Sequence, residues 1–133
     1  MFKRTGYFIL TLMLLLTIAT AGCTSKSNQT TTVMSWSEAI SNGKPTLAEF
    51  GRGTCIPCKE MKPVLEALAK EYDGRLNVLI IDVDVYSTLT RQHGIMVIPT
   101  QIFFNTDGKE VSRHVGFFPK ADIITELEKI GVK

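Results

Sequence analysis

The sequence GRGTCIPCK, residues 51–59, contains two of the three cysteines of this 133-residue chain. Cys55 and Cys58 are separated by two residues, and a short apolar stretch, residues 46–50, comes before them. Apolar residues recur at helical spacing from residue 55 to 72. The pattern therefore predicts a strand, a glycine-containing loop and a helix that begins at Cys55.

This placement gives the cysteine pair a chemical role. A helix N-terminus offers unpaired N–H groups and the positive end of the helix dipole, which favours a thiolate at Cys55. Arg52 and Lys59 are expected to add positive charge nearby. Cys58 lies one turn further on the same face, within disulfide reach. We predict that Cys55 is the attacking thiol and Cys58 the resolving one in thiol–disulfide exchange.

Other uses of a C-x-x-C pair fit less well. A structural zinc site needs four ligands, and neither histidine of the chain, His93 or His114, has ligand spacing to the pair; both are expected at the surface. Haem attachment needs a histidine where Lys59 stands. We expect no metal and no cofactor besides the Cys55–Cys58 disulfide. The alternative is a non-catalytic lipoprotein that senses redox state or binds a metal through the same cysteines.

The chain as a whole has the length and composition of one compact domain, with 44% apolar residues. The patterns predict a short helix that ends near Ser41, a strand at 77–83, a short helix at 86–93, a hairpin of strands 100–104 and 110–115, and a closing helix at 120–130. Such alternation indicates an α/β fold, in which a central mixed sheet has helices on both faces. The nearly all-apolar run at 77–83 predicts a central strand covered on both faces.

Residues 1–22 have the organisation of a signal peptide. Lys3 and Arg4 are followed by an apolar run at 7–18 and by small residues at 19–22. The apolar run is short for a membrane span, which needs about 20 residues. An uncleaved N-terminal anchor is the alternative, and in both cases the domain is exported.

The end of this leader fits two cleavage patterns. Ala19-Thr20-Ala21 suits ordinary cleavage after Ala21. Residues 20–23 resemble the lipobox of bacterial lipoproteins, although Thr20 stands where an aliphatic residue is usual. Ordinary cleavage would leave Cys23 as a free thiol beside a redox-active pair, which invites mixed disulfides. We therefore expect a lipidated Cys23.

Residues 23–33 are polar and are expected to tether the domain, residues 34–133, to a membrane. The predicted location is extracytoplasmic or periplasmic. Lys3 and Arg4 account for the excess of 15 basic over 13 acidic residues, so the rest of the chain is neutral. A neutral domain gives no reason to expect a nucleic-acid partner, and we expect a monomer.

Two motifs resemble those of the thioredoxin family. Residues 55–63, CIPCKEMKP, resemble its active-site helix, and Ile98-Pro99-Thr100 resembles its cis-proline loop. The spacing between them fits, as does Asp107-Gly108 in the predicted hairpin. The resemblance covers residues 36–132 and implies the thioredoxin fold.

The resemblance also implies roles for three further residues. Pro99 would be cis and face the cysteines, and the backbone of Ile98 would pair with an extended segment of substrate. Glu49, six residues before Cys55, stands where the family has a buried acid that moves protons to and from the resolving cysteine. Aspartate is usual there, and burial of the carboxyl would raise its pKa. The alternative for Glu49 is a strand residue that faces solvent.

Departures from the family concern the surface around the cysteines. Gly51 and Thr54 occupy the places of two tryptophans, and Ile-Pro replaces Gly-Pro between the cysteines. Similar tethered domains imply a reductant that is supplied with electrons by a membrane thiol donor. The expected substrates are exported proteins with disulfides or dithiols.

The lipidated form is tested by intact-mass measurement on protein extracted from membranes. We expect a mature chain that begins at Cys23 and carries lipid. A mature chain that starts at Gly22 without lipid would contradict this.

Overall fold

The computed structural model of the chain describes residues 34–133, so the signal peptide, the tether and Cys23 lie outside the described residues. The eight predicted elements all form, in the order α1 (Trp36–Ser41), β1 (Thr46–Gly51), α2 (Ile56–Glu71), β2 (Asn77–Asp82), α3 (Ser87–Gln92), β3 (Thr100–Phe104), β4 (Glu110–Val115) and α4 (Lys120–Lys129). None of the helices within residues 34–133 is long and apolar enough to cross a membrane.

The four strands form one mixed sheet in the order β2-β1-β3-β4. β1 pairs in parallel with β2 and antiparallel with β3, and β3 pairs antiparallel with β4. Every residue of β1 is buried. β1 is therefore the strand around which the domain is organised.

Alternation along the strands divides the core into two clusters, one on each face of the sheet. On one face, Leu47 and Phe103 pack against α2 and α4. On the other, Phe50 and Phe104 pack against residues of α1 and α3. Helices thus cover both faces, as predicted.

The position of β2 corrects the sequence prediction. β2 is an edge strand and not a central one. Its residues are apolar because helices cover much of both faces: Leu79 and Ile81 pack in one cluster and Val78 against the other. Ile80 remains 50% exposed. An apolar run indicates that both faces of a strand are covered. It does not indicate whether the strand is hydrogen-bonded to neighbours on one side or on both sides.

The expectation of a surface position for His93 holds only in part, because the residue is half-buried. Its ring lies 4.9 Å from that of Trp36, 5.7 Å from that of Phe50 and 5.6 Å from that of Phe104, measured between centroids. Burial among these rings lowers the pKa of His93. His93 is thus part of an aromatic cluster on the α1 side of the sheet.

The turn between β3 and β4 depends on Gly108. Its φ is +70°, a conformation that residues with a side chain rarely adopt. A Cβ at this position would lie 2.5 Å from Cγ2 and 2.6 Å from the carbonyl oxygen of Ile40, at the end of α1. The hairpin and α1 therefore meet closely only because residue 108 has no side chain.

We predict that Gly108→Ala lowers the free energy of unfolding by about 3 kcal/mol, because backbone strain and a steric clash act together. Gly74→Ala is the matched control: its φ is +74°, but among the described residues no heavy atom beyond its chain neighbours lies within 4 Å of the added Cβ. The control should lose about 1 kcal/mol in urea denaturation. Equal losses would show that contact with Ile40 has no effect.

Candidate active site

Cys55 is the N-cap of α2, as the sequence predicts. Its backbone is extended, with φ −79° and ψ 124°, and its Sγ accepts a hydrogen bond of 3.3 Å from the backbone N–H of Cys58. Its carbonyl accepts from Lys59 N at 3.1 Å. Sulfur thus takes the capping role usually played by a side-chain oxygen. Pro57 lies in the first turn, where a missing N–H leaves no helical bond unmade.

The two cysteines form a disulfide and differ in accessibility. Their Cα atoms are 5.3 Å apart. Cys58 is only 6% exposed, whereas Cys55 is half-buried and its neighbour Ile56 is 70% exposed. A substrate can therefore reach the sulfur of Cys55 more easily than that of Cys58.

The predicted electrostatic contribution of Arg52 needs correction. Its guanidinium makes two hydrogen bonds of 2.6 Å to the carboxylate of Asp84. This ion pair partly neutralises the charge of Arg52, which lines the same cleft as Cys58. The N-terminus of α2 and its backbone N–H groups also stabilise a Cys55 thiolate.

Pro99 and the cysteines lie at the same end of the central strands β1 and β3. The Ile98–Pro99 peptide bond is cis, the geometry that the resemblance implies. The next residue, Thr100, pairs with Phe50 near the end of β1, and β1 leads directly to the loop before Cys55. The carbonyl of Pro99 accepts from Gly116 N at 2.8 Å. The sheet register thus brings the two motifs together.

Exposed apolar side chains lie in or next to these motifs in the chain. They come from the cysteine motif, the segment before Pro99 and the loop after β4. Met96 is 91% exposed, and the others are Ile56, Val97 and Phe117. Ile56 follows Cys55 in the chain, Val97 lies two residues before Pro99, and Phe117 follows Gly116, whose N–H donates to the carbonyl of Pro99.

Glu49 is buried in β1 beneath α2, with 1% of its surface exposed. The solvent-facing alternative is therefore wrong. Burial raises the pKa of Glu49 from 4.5 to about 7, and a hydrogen-bonding interaction with Gln101 opposes this only in part. The contact with Gln101 falls short of a full hydrogen bond, and Glu49 Oε2 has no hydrogen-bond partner among residues 34–133. A carboxyl with a pKa near neutrality can both accept and release a proton.

Gly51 leaves a space between Glu49 and Cys58. A Cβ at residue 51 would lie 3.1 Å from Glu49 Oε1 and 3.3 Å from Cys58 Sγ. The carboxyl oxygen and the sulfur thus flank one small volume. An open cleft of about 430 Å³ reaches them, and Lys59 and Ile80 also line it. Water can therefore reach the buried acid.

Sequence reasoning missed this cleft and the buried Gln101. The sequence feature that could have indicated the cleft was Gly51, which stands where the family has a tryptophan. The signal for Gln101 was an amide directly before the three apolar residues 102–104 of the same strand. Within residues 34–133, no group of three or more histidine, cysteine, aspartate or glutamate side chains is placed to hold a metal ion.

A pair of thiols that closes to a disulfide within one helical turn can exchange two electrons with another disulfide. The accessible and buried members of the pair define this chain as a thiol–disulfide oxidoreductase. The family model for thioredoxin matches residues 27–129. The chain belongs to the thioredoxin family, and its fold is the thioredoxin fold.

Individual relatives agree with this assignment. A thioredoxin of Staphylococcus saprophyticus is 43% identical over 83 residues, which span 62% of this chain and 79% of that protein. A thioredoxin of Staphylococcus aureus is 41% identical over the same spans. The solved structure of a mutant thioredoxin from Halobacterium salinarum superposes with a TM-score of 0.66 at 29% identity, over 76% of this chain and 88% of that one.

The raised pKa of Glu49 predicts how stability depends on pH. The folded, oxidised protein holds the proton up to about pH 7, whereas the unfolded chain releases it near pH 4.5. This contribution is complete below pH 4.5 and is lost as pH rises through 7, a loss of about 3 kcal/mol. Glu49→Gln should remove it in denaturation experiments across this range. The exposed Glu60→Gln should keep it, and an unchanged slope in Glu49→Gln would refute the assignment.

Proposed function

We propose that this chain is an exported, membrane-tethered reductant of disulfides in extracytoplasmic or periplasmic proteins. The observation that carries the proposal is the unequal exposure of the two disulfide-bonded cysteines at the start of α2. It supports Cys55 as the nucleophile that meets the substrate and Cys58 as the resolving thiol. The location is inferred from the leader at residues 1–22.

The first step is attack on the substrate. The Cys55 thiolate attacks one sulfur of a substrate disulfide, so that a Cys55–substrate bond forms and the substrate S–S bond breaks. The departing substrate thiolate takes a proton from water. The backbone N–H of Cys58 and the N-terminus of α2 stabilise the attacking thiolate.

The second step needs Cys58 to lose its proton. Glu49 lies across the space at Gly51 from the Cys58 sulfur and accepts that proton through water in the cleft. The Cys58 thiolate then attacks Cys55, which closes the Cys55–Cys58 bond and releases the second substrate sulfur as a thiolate. The substrate gains two electrons, and the enzyme is left as the disulfide.

We assign substrate binding to the segment around Pro99, at the start of β3. The N–H and C=O of Ile98 make no backbone hydrogen bond to another of the described residues, so they are free to pair with an extended peptide. The exposed side chains of Ile56, Met96, Val97 and Phe117 would contact side chains around the substrate disulfide. Both features favour unfolded or flexible protein segments as substrates.

Reduction of the enzyme requires a second partner. A membrane protein with a dithiol would reduce the Cys55–Cys58 disulfide and become oxidised itself. A lipid on Cys23 would keep the domain at the membrane where this donor resides, and residues 23–33 would provide reach.

We expect the mature chain, residues 23–133, to catalyse reduction of insulin by dithiothreitol. Cys55→Ser should fall to the rate of dithiothreitol alone, because no attacking thiolate remains. Cys23→Ser is the control and should keep full turnover. Turnover that is absent in the wild type, or unchanged in Cys55→Ser, would instead favour a non-catalytic redox sensor or metal-binding protein.

Cys58→Ser in the native organism tests the partners in the same framework. Without the resolving thiol, mixed disulfides at Cys55 should accumulate and identify the trapped proteins. Exported substrates are expected, whereas a predominance of cytoplasmic proteins would exclude the proposed location.

A further inference from the structure

Gln101 is a buried polar residue that thiol exchange does not account for. It is fully buried in β3, and neither Nε2 nor Oε1 has a hydrogen-bond partner among the described residues. The residues that follow it, 102–104, are apolar. Burying an amide without partners costs free energy, and an apolar side chain of the same size would avoid that cost. A buried amide at this position is therefore expected to have a polar partner, although no side chain in the oxidised form is aligned well enough to make a full hydrogen bond with it.

The register of the sheet identifies that partner. Gln101 lies directly opposite Glu49 on β1 and opposite His114 on β4. Directly opposed residues point to the same face, with Cβ atoms about 4.5–5.5 Å apart. On its other side Glu49 is paired with Ile80, which has no polar group to offer. Gln101 is therefore the polar cross-strand neighbour of Glu49.

The two oxygens of Glu49 have different surroundings. Oε1 borders the space at Gly51 that also borders Cys58 Sγ. Oε2 is buried and lacks a partner among residues 34–133. This arrangement leaves Oε2 for the amide of Gln101 while Oε1 remains directed at the sulfur.

We propose that Gln101 is a positioning residue that keeps the Glu49 carboxyl directed at Cys58 in both of its protonation states. The inference rests on the proton-transfer role proposed for Glu49. An amide suits this task because it has both a donor and an acceptor. Its N–H donates to the ionised carboxylate, and its carbonyl accepts from the protonated carboxyl. A rotation of the amide exchanges the two bonds while Cys58 gains or loses its proton.

A neutral partner also matters for the acid itself. A cation in the place of Gln101 would hold Glu49 ionised and weaken it as a base. Gln101 opposes the rise in the pKa of Glu49 only in part, so the value stays near neutrality. The carboxyl can then take the Cys58 proton and pass it to water in the cleft.

Other ionisable groups surround this pair and must be controlled for. They are Cys58, Lys59 and Lys62 from α2, Asp82 from β2, Arg52 from the loop after β1, and His114 from β4. Lys62 pairs with Glu66 and Arg52 with Asp84. The His114 ring stacks on Phe118 at 3.9 Å between centroids, and its Nε2 lies 3.2 Å from the carbonyl oxygen of Phe117.

The experiment measures the rate at which Cys58 resolves a mixed disulfide, as release of a fluorescent peptide thiol, between pH 5 and pH 9. Gln101→Met replaces the amide with an apolar side chain of similar length. We expect the pH midpoint to rise by about one unit, because the hydrogen bond to the ionised carboxylate is stronger than the one to the protonated carboxyl by roughly this amount. Gln101→Leu repeats the test with a different shape, and unfolding curves confirm that each variant is folded.

Two controls separate positioning from packing. Ile102→Met changes a buried neighbour on the opposite face of β3 and should leave the midpoint unchanged. His114→Gln removes the imidazole and should leave it unchanged as well. In a Glu49→Gln background, Gln101→Met should have no further effect on the pH profile, because the carboxyl through which it acts is gone.

The possible failures are distinguishable. If Glu49→Gln alters the profile but Gln101→Met does not, Gln101 has no positioning role and the role of Glu49 stands. If Glu49→Gln has no effect, proton transfer by Glu49 fails and the role of Gln101 fails with it. Equal effects of Gln101→Met with and without Glu49 would reduce Gln101 to a packing residue.

Discussion

The pairing of β1 on both of its edges is the constraint on which the active site depends. β1 contains Glu49 and Gly51 and leads into the loop that ends at Cys55. Its antiparallel pairing with β3 places Gln101 beside Glu49 and sets Pro99 at the edge where the cysteines lie. A shift of one residue in this register would send Glu49 to the opposite face of the sheet. The burial of every β1 residue makes such a shift costly.

Burial serves two different purposes in this domain. Around Leu47 and Phe103 it stabilises the fold through apolar contact. Around Glu49 it changes chemistry, since desolvation raises the pKa of the acid into the range where it can exchange a proton at neutral pH. The burial of Glu49 therefore lowers the free energy of unfolding once the carboxyl is ionised, and the same burial gives the carboxyl its reactivity.

Local pattern was sufficient to predict most of the fold and the centre of the site. Helical spacing, turn residues and the position of Cys55 before a helix can all be recognised within short stretches of sequence. What failed depends on contacts between distant segments. Arg52 and Asp84 are 32 residues apart in the chain, so their ion pair was not visible. The edge position of β2 and the role of Gln101 required the strand order and register, which residue spacing does not specify.

The hydrogen bond from the Cys58 N–H to the Cys55 sulfur has a consequence for electron affinity. A thiolate accepts such a bond more strongly than a disulfide sulfur does, because it carries a full negative charge. An interaction that favours the reduced form makes the pair easier to reduce. The capping geometry at the start of α2 thereby contributes to the midpoint potential of the cysteine pair. Conversely, the first turn of α2 is held more firmly when the protein is reduced than when it is oxidised.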